Sequence, residues 1–160
     1  MKNEIEAVAV ITETSKNIQG FITFKENFEN KETIIKLNLK NVPQGKHGFH
    51  IHTTGDLREG CKSLCSHYNP HNKTHGDIKS KNRHVGDLGN IKPNKYGIIK
   101  KTLKDKLIKL RGKYSIIGRS VVIHEKEDDL GLGNNDESLK TGNAGKRIAC
   151  GVIGYSKNCK

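Results

Sequence analysis

Imidazole and carboxylate side chains at short, regular offsets are the part of this chain that could do chemistry. Seven of the eight histidines lie between His47 and His84, and the eighth is His124. The segment opens His47-Gly48-Phe49-His50-Ile51-His52 and closes Arg83-His84-Val85-Gly86-Asp87-Leu88-Gly89-Asn90, with His67, His71 and His75 between. Histidine is the commonest metal ligand and Asp can complete a zinc shell, so the chemistry on offer is metal binding. His50-Ile51-His52 has the period of a strand. Residues i and i+2 of a strand share a face about 6.5–7 Å apart, so both rings can reach one ion while Phe49 and Ile51 turn toward a core. Taken alone, the pair also fits a half-polar strand with two solvated histidines; the downstream histidines favour the metal.

His47 precedes a Gly at the start of the strand, and His71 directly follows Pro70; both are set aside. His50, His52, His67, His75, His84, His124 and Asp87 remain, one fewer than two four-coordinate sites require. Either one site keeps an open position or one imidazole, which has two nitrogens, serves both ions. His67, His75, His84 and Asp87 offer three nitrogens and a carboxylate, which suits tetrahedral zinc. His50, His52 and His124 offer nitrogens only, which suits copper.

The elements that must hold these groups read as strands. Ala7–Ile11, Gly20–Phe24, Ile34–Lys40 and His47–His52 alternate or run apolar, as do Tyr96–Leu103, Lys106–Leu110, Tyr114–His124 and Ile148–Tyr155. Between Thr53 and Leu88 neither helical nor strand periodicity survives, and a loop of that length is functional or disordered. A second irregular stretch, Glu125–Lys146, is rich in Gly, Asn and Asp. About eight short strands, no convincing helix and two long loops predict an antiparallel sandwich or barrel. The length of 160 residues predicts one domain, 1–160.

Apolar residues make up 32% of the chain and Trp is absent, so the core is lean and metal, a disulfide or a second subunit should add stability. No apolar run reaches the length of a membrane span, and Met1–Glu6 leads into no apolar signal segment, which predicts a cytoplasmic protein. The net charge of +12 favours anionic partners, or else a lysine-rich solvated surface. No recognition helix, RNA-binding motif or zinc-finger spacing is present, so no specific nucleic-acid partner is expected. Cys61, Cys65, Cys150 and Cys159 form no Cys-x-x-Cys pair.

The segments His47–His52, His67-Tyr68-Asn69-Pro70, Arg83–Asn90, Ile116-Ile117-Gly118-Arg119, Val122–Lys126 and Asp128-Asp129-Leu130-Gly131 resemble the copper/zinc superoxide dismutase family. So do Lys140-Thr141-Gly142-Asn143-Ala144-Gly145, Arg147 and Ala149-Cys150-Gly151-Val152-Ile153-Gly154, and the resemblance runs nearly end to end. It implies an eight-stranded antiparallel Greek-key β-sandwich or barrel with two long functional loops; the family is itself an established example of this sandwich architecture. It implies copper on His50, His52, His67 and His124, and zinc on His67, His75, His84 and Asp87, with His67 shared. It further implies a second carboxylate, Asp128, linking one histidine of each site, and a disulfide between Cys61 and Cys150. Cys65 and Cys159 have no counterpart and are expected to be free thiols. Two departures fall in the loop around the zinc group: Gly76-Asp77-Ile78 after His75, and Cys65-Ser66 before His67.

The implied activity is dismutation of superoxide, with His67 moving a proton and Arg147 holding the anion. Lys126, Lys140, Asp136 and Glu137 match charged residues that guide it. A homodimer is expected, with Gly118 and Ile153 in matching segments, and a copper chaperone is a further partner that the resemblance allows. One rival is a catalytically weak copper- and zinc-binding relative acting as a metal buffer, but it would have lost Arg147 or a copper histidine. A basic nucleic-acid-binding module is the other, and no base-reading element supports it.

Overall fold

Apolar–polar alternation builds the strands, and the order in which they pair decides where the histidines meet. The computed structural model describes residues 4–157. β1 (Glu4–Val10) and the short β2 (Glu13–Thr14) lead into β3 (Gln19–Asn27) and β4 (Glu32–Lys40). In β4 the alternation is strict: Thr33, Ile35, Leu37 and Leu39 are buried, while Lys36, Asn38 and Lys40 face solvent. β5 (His47–His52) follows, then β6 (Arg58–Cys61) with a 3-10 turn at Lys62–Leu64, β7 (Asp87–Ile91), β8 (Ile99–Asp105), β9 (Ser120–His124) and β10 (Arg147–Tyr155). A single α-helical turn, α1, spans Ser138–Thr141.

The strands pair in the order β7-β5-β9-β10-β1-β3-β4-β8, all antiparallel, with β2 added beside β10. β4 and β5 are consecutive but not neighbours, and neither are β8 and β9, so the chain twice crosses between layers as a Greek key does. β10 joins the layers: Arg147–Val152 pairs with β9, and Ile153 onward pairs with β1. At the open side Lys101 Nζ donates to Asn90 O at 3.1 Å, so the eight-stranded barrel is nearly closed. The expected fold class is therefore the one found.

Phe24, Ile22, Ile35, Leu39, Phe49, Ile51, Leu88, Ile91, Val121 and Ile123 pack into one core. All six residues of β5 are buried. Phe49 and Ile51 turn into that core, and His50 and His52 are covered from the other side by the long loops.

Three readings need correction. Lys106–Leu110 is not a strand; Asp105 Oδ1 accepts from the backbone N–H groups of Leu107 and Ile108 and turns the chain instead. Tyr114–Arg119 is a turn, and only Ser120–His124 of that β-branched run is strand. β6 and β7 lie partly or wholly within the stretch read as non-periodic. Their sequences, REGC and DLGNI, carry too little alternation to be recognised.

Candidate metal centre

Strand β5 delivers His50 and His52, and its neighbour β9 delivers His124. His52 also bridges to His67, which brings the first long loop back over the sheet. Asp87 opens β7, beside β5, where it registers with His50. His75 and His84 come from the loop between. His50, His52, His67 and His124 each place one nitrogen within 4.8 Å of the others. His50, His67, His75 and Asp87 do the same with three nitrogens and an oxygen. His84 joins through Asp87, whose Oδ1 lies 3.0 Å from His67 Nδ1, 2.9 Å from His75 Nδ1 and 3.1 Å from His84 Nδ1.

The hydrogen bonds fix which nitrogens are free. Asp128 accepts from His50 Nε2 and His75 Nε2, each at 2.7 Å, with all three side chains fully buried. A carboxylate only accepts, so both Nε2 atoms carry a proton and Nδ1 is the atom on each ring that a metal can take. His52 Nδ1 lies 2.8 Å from Cys65 O, and His124 Nδ1 lies 3.0 Å from Gly145 O; a carbonyl also only accepts, so Nε2 is the free atom on each ring. Those two Nε2 atoms sit 3.3 Å apart. His50 Nδ1, His67 Nε2 and His75 Nδ1 are buried with no hydrogen-bond partner. Buried polar atoms are rarely left so, and three of them within this cluster are what cation ligation would satisfy. His75 Nδ1 is close to Asp87 Oδ1 without hydrogen-bond alignment, which again fits a shared ion. The donor set therefore fits copper and zinc.

The electrostatics divide the cluster. Burial pushes the His50 and His52 rings well below the ordinary histidine range, and neighbouring imidazoles push the same way. Burial takes His124 down to about 4. It lowers His67 too, against the pull of Asp87. His75 goes the other way: burial opposes its charge, but Asp128 and Asp87 raise it to about 9. Burial also opposes the Asp87 carboxylate, yet the three histidines hold it far below the carboxylate range.

A cavity of about 410 Å³ opens onto His52, His67 and His124, and Arg147, Lys140 and Glu137 also line it. Arg147 is half-buried, and its guanidinium donates to Cys61 O at 2.7 Å, Lys62 O at 3.2 Å and Cys65 O at 2.5 Å. Lys126 stands beside Gly145 at the rim, where its carbons would lie 3.3 Å from a Cβ on that glycine. Asp136 is exposed on the second loop and does not line the cavity. Cys61 and Cys150 are disulfide-bonded. Cys65 is a free, exposed thiol, and Cys159 lies outside the described residues.

Sequence reasoning missed the supports. Asn90 clamps Asp128 twice: its side-chain N–H donates to Asp128 O, and its Oδ1 accepts from Asp128 N, both at 2.8 Å. Gly142 has φ +69° and packs where any Cβ would overlap Asp128 Oδ1 and His75 Nε2. An Asn and a Gly inside recognised motifs were the only signals. His47 and His71, set aside above, belong to neither group of converging ligand atoms. Both ring nitrogens of His47 face carbonyls, of His124 at 2.8 Å and Pro43 at 2.9 Å, and the His71 ring lies against Tyr114.

The sequence profile of the family described as copper/zinc superoxide dismutase (SODC) matches residues 18–153. The chain is similar to a superoxide dismutase (Cu-Zn) of Paramecium bursaria Chlorella virus 1, at 51% identity over 156 residues, 97% of this chain and 82% of the relative. It is similar to one of Neurospora crassa, at 52% over 154 residues, 96% and 99%. It is also similar to an extracellular superoxide dismutase (Cu-Zn) of Drosophila melanogaster, at 50% over 154 residues, 94% and 85%.

Proposed function

The chain belongs to the copper/zinc superoxide dismutase family, and from that premise we propose how its own side chains carry the reaction. The protein is an oxidoreductase that turns two superoxide anions and two protons into O2 and hydrogen peroxide, with copper and zinc as cofactors. Bound copper supplies the redox chemistry by taking an electron from one superoxide and returning it to another, while zinc, which has none, is structural.

His50 Nδ1, His52 Nε2, His67 Nε2 and His124 Nε2 are the atoms we assign to copper. The Nδ1 atoms of His67, His75 and His84, with Asp87, are assigned to zinc. His50 also falls in the second convergence, but Asp128 occupies its Nε2, so it has one nitrogen to give, and Asp87 Oδ1 reaches His84 rather than His50. The observation that carries the assignment is His67, whose Nδ1 faces Asp87 while its Nε2 is buried without a partner on the other side. That same Nε2 is the atom proposed to take up a proton and pass it to the product. Asp128 holds one ring of each group in register, and such partners orient ligands and raise their basicity.

Arg147 is proposed as the anion anchor. Its guanidinium is fixed by three carbonyls at the wall of the cavity and keeps donors for a charge-assisted bond. Lys126, Lys140, Asp136 and Glu137 are proposed to shape the field at the mouth. Superoxide dismutase is itself an established example of an enzyme near the diffusional ceiling, so arrival of the anion rather than its reaction sets the rate.

Residues 1–160 are proposed to act as one domain. Val10, Phe21 and Tyr155 are exposed apolar residues on the linked strands β1, β3 and β10, and they support a homodimer face. Ile153 is buried behind this face, and Gly118 N donates to Ile153 O at 2.8 Å. The exposed Cys65 thiol suits a reducing compartment and supports a cytoplasmic location; no helix among the described residues is long and apolar enough to cross a membrane. A copper chaperone is the partner proposed for loading through the cavity beside Cys65-Ser66. His67→Ala tests the assignment: metal content of both ions and superoxide decay should fall, whereas His75→Ala should mainly release zinc. Unchanged copper spectrum and stoichiometry in His67→Ala would overturn the shared ligand.

A further inference from the structure

The surplus of positive charge is not spread evenly, and one strongly cationic concave part lies away from the copper cavity. A cleft of about 600 Å³ lies between the loop that carries His75 and His84 and the turn after β8. Lys73, Lys79 and Lys81 line it from one side, and Lys104 and Lys106 from the other. With Arg83, six cationic side chains face two carboxylates, Glu32 and Asp105, a surplus of four positive charges. Asp105 is already committed: it is buried, ion-paired with Arg83, and accepts from the backbone of Leu107 and Ile108. Among the described ion pairs Glu32 reaches only Lys104, at 3.5 Å. Lys79, Lys81 and Lys106 are exposed and have no carboxylate partner among the described ion pairs. Ile78 and Leu107 give the cleft a small apolar floor.

Like charges gathered without counter-charges repel, and nothing in the fold requires lysine at these exposed positions. Lys73 Nζ is fastened to Lys81 O at 2.8 Å, which ties together two parts of the loop within one wall of the cleft. We propose that this cleft binds a compact oligophosphate, an anion with at least two adjacent phosphate groups, either free or carried on a nucleoside. Lysine ammonium groups are point charges suited to phosphate oxygens. Their arrival from opposite walls favours an anion with charge on several sides over a single carboxylate or orthophosphate. The concavity favours a small ligand over the long convex contact that a nucleic-acid duplex makes.

The test uses the metal-loaded protein and two probes, inorganic tripolyphosphate and a fluorescent nucleoside triphosphate, with orthophosphate and a DNA duplex as comparisons. Wild type should bind both probes saturably, and added salt should weaken binding because screening acts on exposed charges. Lys81→Glu with Lys106→Glu should weaken both by about tenfold or more, since each change removes an attraction and adds a repulsion. The milder pair Lys81→Gln with Lys106→Gln should fall between, which separates charge from misfolding. If only the nucleoside triphosphate binds, the base and not the phosphates is recognised and the proposal fails. Equal affinity for orthophosphate would overturn it, and so would a duplex that displaces both probes at lower concentration. Equal binding by wild type and the Glu pair, with zinc recovered on the probe, would mean chelation and would also overturn it.

Discussion

Replacing Asp128 by Asn should weaken copper more than zinc, although one ring assigned to each metal is bonded to this same carboxylate. Oδ1 of Asp128 accepts from His75 Nε2 and from Leu130 N, both at 2.7 Å, while Oδ2 accepts from His50 Nε2 at 2.7 Å. An amide has one acceptor oxygen. It will occupy the Oδ1 position, where two donors converge, and place its NH2 where Oδ2 stood. His50 Nε2–H would then face N–H groups, so the ring must change tautomer, protonating the Nδ1 that we assign to copper, or turn away. A hydrogen bond to a charged group is worth about 1.5–3 kcal/mol and a buried donor left unmatched costs about 1–3. Loss of such an outer partner typically costs about 10–100-fold in metal affinity. We expect copper affinity in Asp128→Asn to fall within that range and zinc affinity to fall less, whereas Asp128→Ala should weaken both. Competition with a chelator, followed by metal analysis of the protein, measures each separately. Zinc lost more readily than copper in Asp128→Asn, or both retained as in wild type, would refute the tautomer argument.

Further outcomes follow from the charges and the disulfide. Because His75 is raised to about 9, zinc binding at pH 7 should release close to one proton from it, and none well above that value; calorimetry in buffers of different ionisation enthalpy reads the count. In the metal-free protein this raised group adds stability below its unfolded value of about 6.5 that is lost as pH rises through about 9. His124, lowered to about 4, adds stability above about 6.5 that is lost as pH falls through about 4; denaturant melts across pH should show both slopes. Superoxide decay should slow with salt as the Debye length shrinks from about 30 Å at 0.01 M to about 8 Å at physiological ionic strength, in keeping with the steering for which superoxide dismutase is an established example. Arg147→Ala should be slower by about tenfold or more even at high salt, while Lys157→Ala should change little at physiological salt. Reducing Cys61–Cys150, 89 residues apart, should cost about 4–5 kcal/mol on chain-entropy grounds, read as a lower melting temperature.

Much of the fold was legible because local pattern and burial agree. β5 was placed residue for residue, since His47–His52 has both strand period and a core-facing Phe49 and Ile51. The strands that escaped, β6 and β7, carry too little alternation to be read, although β7 buries Leu88 and Ile91 in the core and Cys61 ties β6 to Cys150. Lys106–Leu110 failed for the opposite reason: Ile108 and Leu110 are buried as a strand would bury them, but Asp105 captures the backbone locally. The candidate ligands could be counted from composition, yet the count could not say which histidine faced both ways. That depends on Asp128, Cys65 O and Gly145 O selecting ring nitrogens across 13 to 78 residues of chain. Tertiary hydrogen bonds, not spacing, decide tautomers.

The same tertiary logic joins the disulfide to the proposed anion anchor. Arg147 and Cys150 belong to one strand, β10. The guanidinium of Arg147 reaches the carbonyls of Cys61, Lys62 and Cys65, and Cys150 is bonded to Cys61 itself. Strand, side chain, 3-10 turn and disulfide therefore form a closed ring of connections. Under it, Leu64, Val122 and Cys150 pack as a small cluster of their own, apart from the main core. Hydrogen bonds alone fix the segment Cys61–Cys65 weakly, because each is exchangeable with water at its partly exposed end. The covalent link removes the freedom of that segment to slide along β10. Cys65 O serves both ends of the ring, accepting from Arg147 Nη2 and His52 Nδ1. A loosened segment would shift the anion anchor and the ring tautomer of a copper-assigned histidine together. Reduction should for that reason slow superoxide decay even while the metals remain bound, which an effect on global stability alone would not do.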